Sequence, residues 1–263
     1  MINRQKCVIS VIDYGRVWLS KLFFLIVLFL QQSIAVGAVT EHNANAEYRK
    51  GNYQQAIKDY QELLQRSTSA ELYYNLGNAY YRSEHLPQAI LAYERAHLLN
   101  PSNKDIRFNL EFAKNKTIDK ISPQPEMIFV VAYKQLRDMA NADQWAYASL
   151  YALCFLMILT LIYLFASHMW LRKLGFFGGL FTFLVFLVST FYAYQRWQQE
   201  KSHSEAILMA PSAIIRKTPS VNGAENYVIH EGTKMRITDR SLPLWRGIEL
   251  EDGRTGWIHI EVI

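Results

Sequence analysis

The sequence predicts a multi-domain membrane protein: an all-α stretch of helical repeats, two transmembrane helices and a small all-β barrel. Three observations predict it. A pattern with a period of about 34 residues recurs in the first half. Two long apolar runs follow the middle of the chain, and after residue 205 helical spacing gives way to alternation broken by turn residues. With 263 residues there is room for two small soluble domains beside membrane segments.

The opening segment carries Arg4, Lys6, Arg16 and Lys21 against Asp13, then the apolar run Leu22 to Leu30. Small residues at Ser33 and Ala35, or at Val36 and Ala38, meet the needs of a signal peptidase, so residues 1–38 read as a secretory signal peptide. The apolar core is short for a span, and an uncleaved N-terminal anchor is the alternative. Either delivers the next segment outside.

Residues 39–116 read as two repeats with a capping helix. From Ala70 onward, Tyr73, Leu76-Gly77, Tyr80, Ala89, Tyr93, Ala96 and Pro101 stand at the defining positions of the tetratricopeptide repeat (TPR), which the segment resembles. Gly77 and Ala89 lie where two helices cross closely, the aromatic residues fill the space between helices, and Pro101 ends the second helix. One repeat earlier, Gly51, Tyr53, Ala56, Ile57 and Tyr60 follow the same pattern behind a degenerate first helix. Asp105 to Lys116 reads as the cap. Two repeats and a cap are few for a free-standing solenoid, so docking on the membrane part or on a partner is expected.

The concave face of such a stack is built from the first helix of each repeat. In this register it carries Asn45, Tyr74, Asn75, Asn78, Tyr81, Arg82, Phe108, Asn109 and Phe112. Asparagine amides can clip a peptide backbone, and the aromatic rings offer anchorage or pack between helices. Asn78 and Arg82, an i, i+4 pair, are expected to face outward. Glu41 and Asp105 stand where a carboxylate clamp would need lysines, which disfavours that mode of binding.

Residues 117–144 read as a Pro-containing linker followed by a helix. In that helix Ile128, Val131, Ala132, Leu136 and Met139 share a face, with Lys134, Arg137 and Asp138 off it. It is expected to lie at the membrane surface or to pack on the repeat cap. Residues 145–166 and 174–194 are transmembrane helices with Trp and Tyr near their ends. The loop 167–173 contains Arg172-Lys173, which the positive-inside rule places in the cytoplasm. The repeats and the C-terminal module are then both periplasmic, held at a bacterial inner membrane.

Residues 195–205 read as a polar helical linker, and residues 206–263 as six short strands. Glu231-Gly232-Thr233, Trp245, Asp252-Gly253 and Gly256-Trp257-Ile258 resemble the bacterial SH3 pattern. Asp252-Gly253 is expected to form a hairpin turn and Trp257 to pack in the barrel. Tyr227 and Trp245 are candidates for lining a peptide- or glycan-binding surface.

The order of these parts resembles the TPR protein family of the Bacteroides aerotolerance operon (BatE-like). The resemblance runs from about Ala44 onward and is carried by the repeat segments Tyr48–Ile57 and Glu71–Tyr81, by Arg172–Phe177 and by Ala206–Ser212. It implies partnership with von Willebrand A-domain membrane proteins of the same operon and with a MoxR-type ATPase system. It also implies a role in tolerance of oxygen or envelope stress.

Other classes fit poorly. The net charge of +5 invites nucleic acid, but residues 206–263 carry seven basic and seven acidic side chains, and much of the excess sits in the leader. Cys7 and Cys154 make no disulfide framework or metal site. There is no HExxH, Walker loop or GxSxG, and the histidines are scattered, so neither an enzyme nor a cofactor is expected. Besides a membrane-anchored scaffold binding protein partners, a cell-wall-binding anchor that uses the SH3-like module is the alternative.

Overall fold

The computed structural model describes residues 38–202 and 204–262. The expected signal peptide or anchor, residues 1–38, falls outside them except for Ala38.

The first five helices among the described residues are α1 (Ala38–Arg49), α2 (Tyr53–Arg66), α3 (Ala70–Arg82), α4 (Leu86–Leu99) and α5 (Lys104–Lys114), each packed on the next. Their starts are set locally. The Ser69 hydroxyl accepts from the Leu72 amide, Asn103 accepts from the amides of Asp105 and Ile106, and Pro87 occupies the first turn of α4. The core between α1, α2 and α3 gathers Ala44, Ala56, Ile57, Tyr60, Leu63, Leu72, Leu76 and Ala79. Gly77 lies against Tyr93, where a Cβ would stand 2.6 Å from the ring.

The turns inside the two repeats correspond. Gly51 takes φ +83° in the first, and Glu84 takes φ 65° in the second. A side chain in that left-handed region costs roughly 1–2 kcal/mol, against which glycine's larger unfolded-state entropy sets about 0.5–1 kcal/mol. Glu84→Gly is therefore expected to stabilise the repeats by a few tenths to about 1 kcal/mol. Thermal unfolding of the detergent-purified chain checks this, and a lower melting temperature would speak against it.

The next three helices are α6 (Ile128–Arg137), α7 (Ala142–Phe165) and α8 (Met169–Ser202). α7 and α8 form a helical hairpin, each long and apolar enough to cross a membrane, with only 11% and 22% of their apolar windows buried. That exposure is unlike the core helices of a soluble protein. The connection is shorter than expected. It is Ala166–His168, so Arg172 and Lys173 lie inside α8, and α8 also absorbs the expected polar linker as far as Ser202. Straight-chain polar residues such as Gln195, Gln198, Gln199 and Lys201 prolong a helix readily. Gly175, Gly179, Thr182 and Ser189 form the buried stripe of α8. A Cβ on Gly175 would stand 2.8 Å from backbone atoms of Leu159 and Tyr163, so glycine is what lets the two helix backbones meet.

The C-terminal part is an antiparallel sheet of six strands: β1 (Glu205–Ile207), β2 (Ser212–Arg216), β3 (Glu225–His230), β4 (Lys234–Asp239), β5 (Trp245–Leu250) and β6 (Thr255–His259). They run in the order β1-β4-β5-β6-β2-β3. Leu208, Ile215, Ile229, Met235, Ile248 and Ile258 make its core. Gly253, at φ +82°, sits in the β5–β6 turn. Trp257 does not fill the core as expected. On β6 it is Ile258 that faces inward, fully buried, while Trp257 is half-buried on the other face. Room for the core beside it comes from Gly256, whose Cβ would collide with the Ile215 side chain at 2.2 Å.

The sheet does not hang from the hairpin as a separate module. Ile207 and Met209 join Ala89, Ile90, Tyr93, Leu110 and Ala113 in one cluster with α4 and α5. A short repeat stack thus has the apolar surface at its α4–α5 end partly covered by its own chain.

Candidate functional site

The sequence-predicted groove residues sit on α1, α3 and α5 as the repeat register requires, but several are already engaged. The Tyr60 hydroxyl donates to Asn45 Oδ1 at 2.5 Å, and the Tyr93 hydroxyl donates to Asn78 Oδ1 at 2.7 Å. Both pairs are 15 residues apart in sequence, so one bond recurs in both repeats. Asn109 Nδ2 donates to Asn78 Oδ1 and to the Tyr74 hydroxyl, each at 3.0 Å. Burial pushes the Tyr60 phenol up to about 12, with nearby Glu41 adding to it, and burial also raises Tyr93.

Asn45, Tyr74, Asn78 and Asn109 therefore form part of the internal scaffold of the groove wall. The expectation that Asn78 faces outward is corrected: it is half-buried, and its oxygen serves Tyr93 and Asn109. The i, i+4 spacing with Arg82 gave the helix face correctly but not the reach of a tyrosine from the following helix.

What the groove offers to solvent is aromatic and cationic. Phe108 and Phe112 are 66% and 44% exposed and stack with ring centroids 6.3 Å apart. Tyr81 meets Phe112 edge-on at 5.7 Å, and the Lys116 ammonium lies 5.5 Å from the Phe112 ring. Arg82 is exposed on the last turn of α3, and Asn75 is half-buried on the same helix. Phe108 and Phe112, which the sequence allowed to be packing residues, form an exposed ledge instead.

On the sheet, Tyr227 and Trp245 are not brought together in one depression. Tyr227 packs against the sheet core, its ring covered by Arg254 at 4.6 Å. Trp245 lies edge-on to His259 at 5.4 Å and borders a shallow surface depression with Ile214, Val221 and Val262. Of the two candidates, Trp245 alone has the form of a contact surface.

Sequence reasoning missed the groups that fix the groove relative to the sheet and the hairpin. Glu94 on α4 receives Lys114 at 2.7 Å and Lys234 of β4 at 2.9 Å, and Lys234 also meets Glu205 at 2.8 Å. Burial alone would raise the Glu94 carboxyl, but the two ammonium groups more than offset it and hold it below the ordinary carboxylate value.

The expected linker 117–126 is fastened down as well. Asp119 accepts from the His230 amide at 2.6 Å and from the Thr233 hydroxyl at 2.7 Å, and its other oxygen lies 3.0 Å from His230 Nδ1. Its burial is outweighed by these bonds, so its carboxyl too is held low. Gln124 bonds to the backbone of Glu251 and Asp252.

At the hairpin end, the buried guanidinium of Arg196 donates to the Leu98 carbonyl at the C-terminus of α4 and reaches Asp138 at 3.4 Å. Neighbouring His97 has its pKa pushed down by burial, with Lys234 and Arg196 adding to this against the pull of Glu94 and Asp138.

Two family signatures match the chain. One described as tetratricopeptide repeat covers residues 70–103, and one described as TPR repeat covers residues 44–84. No curated protein matches it. Residues 44–103 thus form a TPR-type region, a fold that serves protein–protein interaction.

Proposed function

We propose that this chain is a membrane-anchored, non-catalytic adaptor that recruits protein partners through the open face of its repeats. The single observation that carries this reading is the ledge of Phe108 and Phe112 beside Tyr81 and Lys116, with Arg82 exposed farther along the same groove on α3. It is exposed aromatic and cationic surface on a rigid wall, the composition of interface anchors. The α7–α8 hairpin serves as the membrane anchor. Because its two helices return to the same end, repeats and sheet stand on one side, and Arg172 and Lys173 near the turn favour the periplasm for that side. The C-terminal sheet acts as an SH3-like module that steadies the repeats and presents Trp245. By resemblance, the partners are von Willebrand A-domain membrane proteins of an aerotolerance or envelope-stress complex.

The test is co-isolation from membranes with tagged full-length chain. Phe108→Ala/Arg82→Ala should remain folded, since exposed substitutions usually change stability by less than about 0.5 kcal/mol, yet lose the retained membrane proteins. Asn78→Ala should differ by lowering stability about 1–2 kcal/mol, because Tyr93 and Asn109 lose their shared acceptor. Unchanged recovery of partners by the Phe108/Arg82 variant would remove the groove from this account. Recovery of wall fragments alone would favour an anchor acting through Trp245.

A further inference from the structure

Helix α6 is amphipathic the wrong way round for water. Ile128, Ala132 and Leu136 lie at i, i+4 and i+8 with Phe129 beside them, and all four are exposed, Phe129 to 82%. None of the ten residues of α6 is buried. Its polar side is instead the side with partners. Lys134 pairs with Glu126, Arg137 pairs with Asp138, and Tyr133 packs on Tyr192 of α8 at 5.6 Å. A helix that turns its apolar face outward has that face matched to a solvent other than water.

The level at which α6 sits identifies that solvent. The Trp145 indole donates to the Arg137 carbonyl at 3.0 Å and lies 5.1 Å from the Tyr192 ring. Trp145 and Tyr192 belong to the ends of the apolar hairpin, where such rings mark the boundary between hydrocarbon and headgroups. Three residues separate α6 from Asn141, which opens α7 with a capping box, its side chain accepting from the Gln144 amide while Gln144 accepts from the Asn141 amide. The chain thus leaves one helix at the interface and begins a new one that descends. Continuity with the hairpin, rather than a free-standing patch, assigns the occupant.

Resting on the reading of α7 and α8 as a membrane hairpin, we infer that α6 is a lipid-binding helix. Its Ile128–Phe129–Ala132–Leu136 face is embedded in the headgroup–acyl boundary on the side of the soluble parts. Its two basic side chains are already paired, so attachment is apolar and needs no anionic lipid. Because Arg196 bonds both to Asp138, beside α6, and to Leu98 of the repeats, the embedded helix also fixes the height of the groove above the bilayer.

The test uses the full chain, with Cys7→Ser and Cys154→Ser, reconstituted in phosphatidylcholine vesicles. Single cysteines at Phe129, Ala132, Thr68 and Phe181 carry a fluorophore sensitive to quenching. The probes at 129 and 132 should be quenched several-fold more than that at 68 by a nitroxide placed shallowly on the lipid, and be protected from aqueous iodide. The probe at 181 should respond to a deep nitroxide. Iodide access at 129 equal to that at 68 would overturn the inference, and so would shielding from both quenchers, which would mean that protein covers the face. If the probe at 181 also escapes the deep nitroxide, the hairpin itself is not in the bilayer and the membrane reading falls with it.

Discussion

Replacing Gly77 with leucine is expected to destroy the repeat stack. Even the Cβ of alanine would stand 2.6 Å from two carbons of the Tyr93 ring, and Tyr93 is held in place by Asn78. Overpacking of this kind costs about 1–3 kcal/mol, and more for a side chain as long as leucine. Small natural domains are stable by only about 5–15 kcal/mol, so the loss is large. The expected readout is loss of protection of α3 and α4 in hydrogen exchange on the detergent-purified chain, while the α7–α8 hairpin remains protected. Unchanged protection would mean that the ring of Tyr93 can move aside.

This crossing was legible in the sequence because it depends on one spacing. A small residue at 77 and a large one at 93 fall at defining positions of a periodic motif. The apolar runs and the alternating C-terminal segment were legible for the same reason, since period and length decide them. The close approach of Gly175 to the α7 backbone was not among these readings, because apolarity and length define a span without showing which of its faces meets the neighbouring helix.

The site was less legible. Periodicity places Asn78 on the right helix face, but it does not say whether the amide oxygen is already taken by Tyr93. Alternation along β6 separates Trp257 from Ile258 without saying which face is inward. The junction of repeats and sheet was beyond reach, because Glu94 and Lys234 are 140 residues apart and belong to no motif.

That junction is the second place where a large effect is expected. Glu94→Ala removes the shared, buried partner of Lys114 and Lys234, leaving Glu251 at 3.6 Å for the first and Glu205 at 2.8 Å for the second. Breaking a buried pair by removing one partner costs about 3–5 kcal/mol. Lys234 keeps Glu205, so the lower end, about 3 kcal/mol, is expected here. Limited proteolysis should then cut the segment around Lys120 and release the sheet from the repeats. Gly232→Ala should act in the same direction, since a Cβ there would stand 2.8 Å from Thr117 and 3.0 Å from Ile90. If both variants resist protease like the parent, the docking does not depend on this contact.

The junction should also be acid-sensitive. Glu94, Asp119 and His97 all have folded-state pKa values below their ordinary ones. The unfolded chain therefore binds more protons as pH falls, and the stability these groups supply is present above the ordinary values and lost below them. Loss should begin below 6.5 through His97 and steepen below 4.5 and 3.8 through Glu94 and Asp119. A melting temperature that falls in this order checks it, and one that stays level down to pH 4 would contradict it.

Repeats and sheet are proposed to form one joined body on one side of a membrane, outside the cytoplasm. In a background of Cys7→Ser and Cys154→Ser, single cysteines at Thr68, Ser241 and Ser167 probe the repeats, the sheet and the hairpin turn, all exposed positions. A membrane-impermeant maleimide applied to intact spheroplasts should label 68 and 241 and leave 167 untouched until the membrane is opened. Labelling of 167 from outside, or of only one of 68 and 241, would contradict the account.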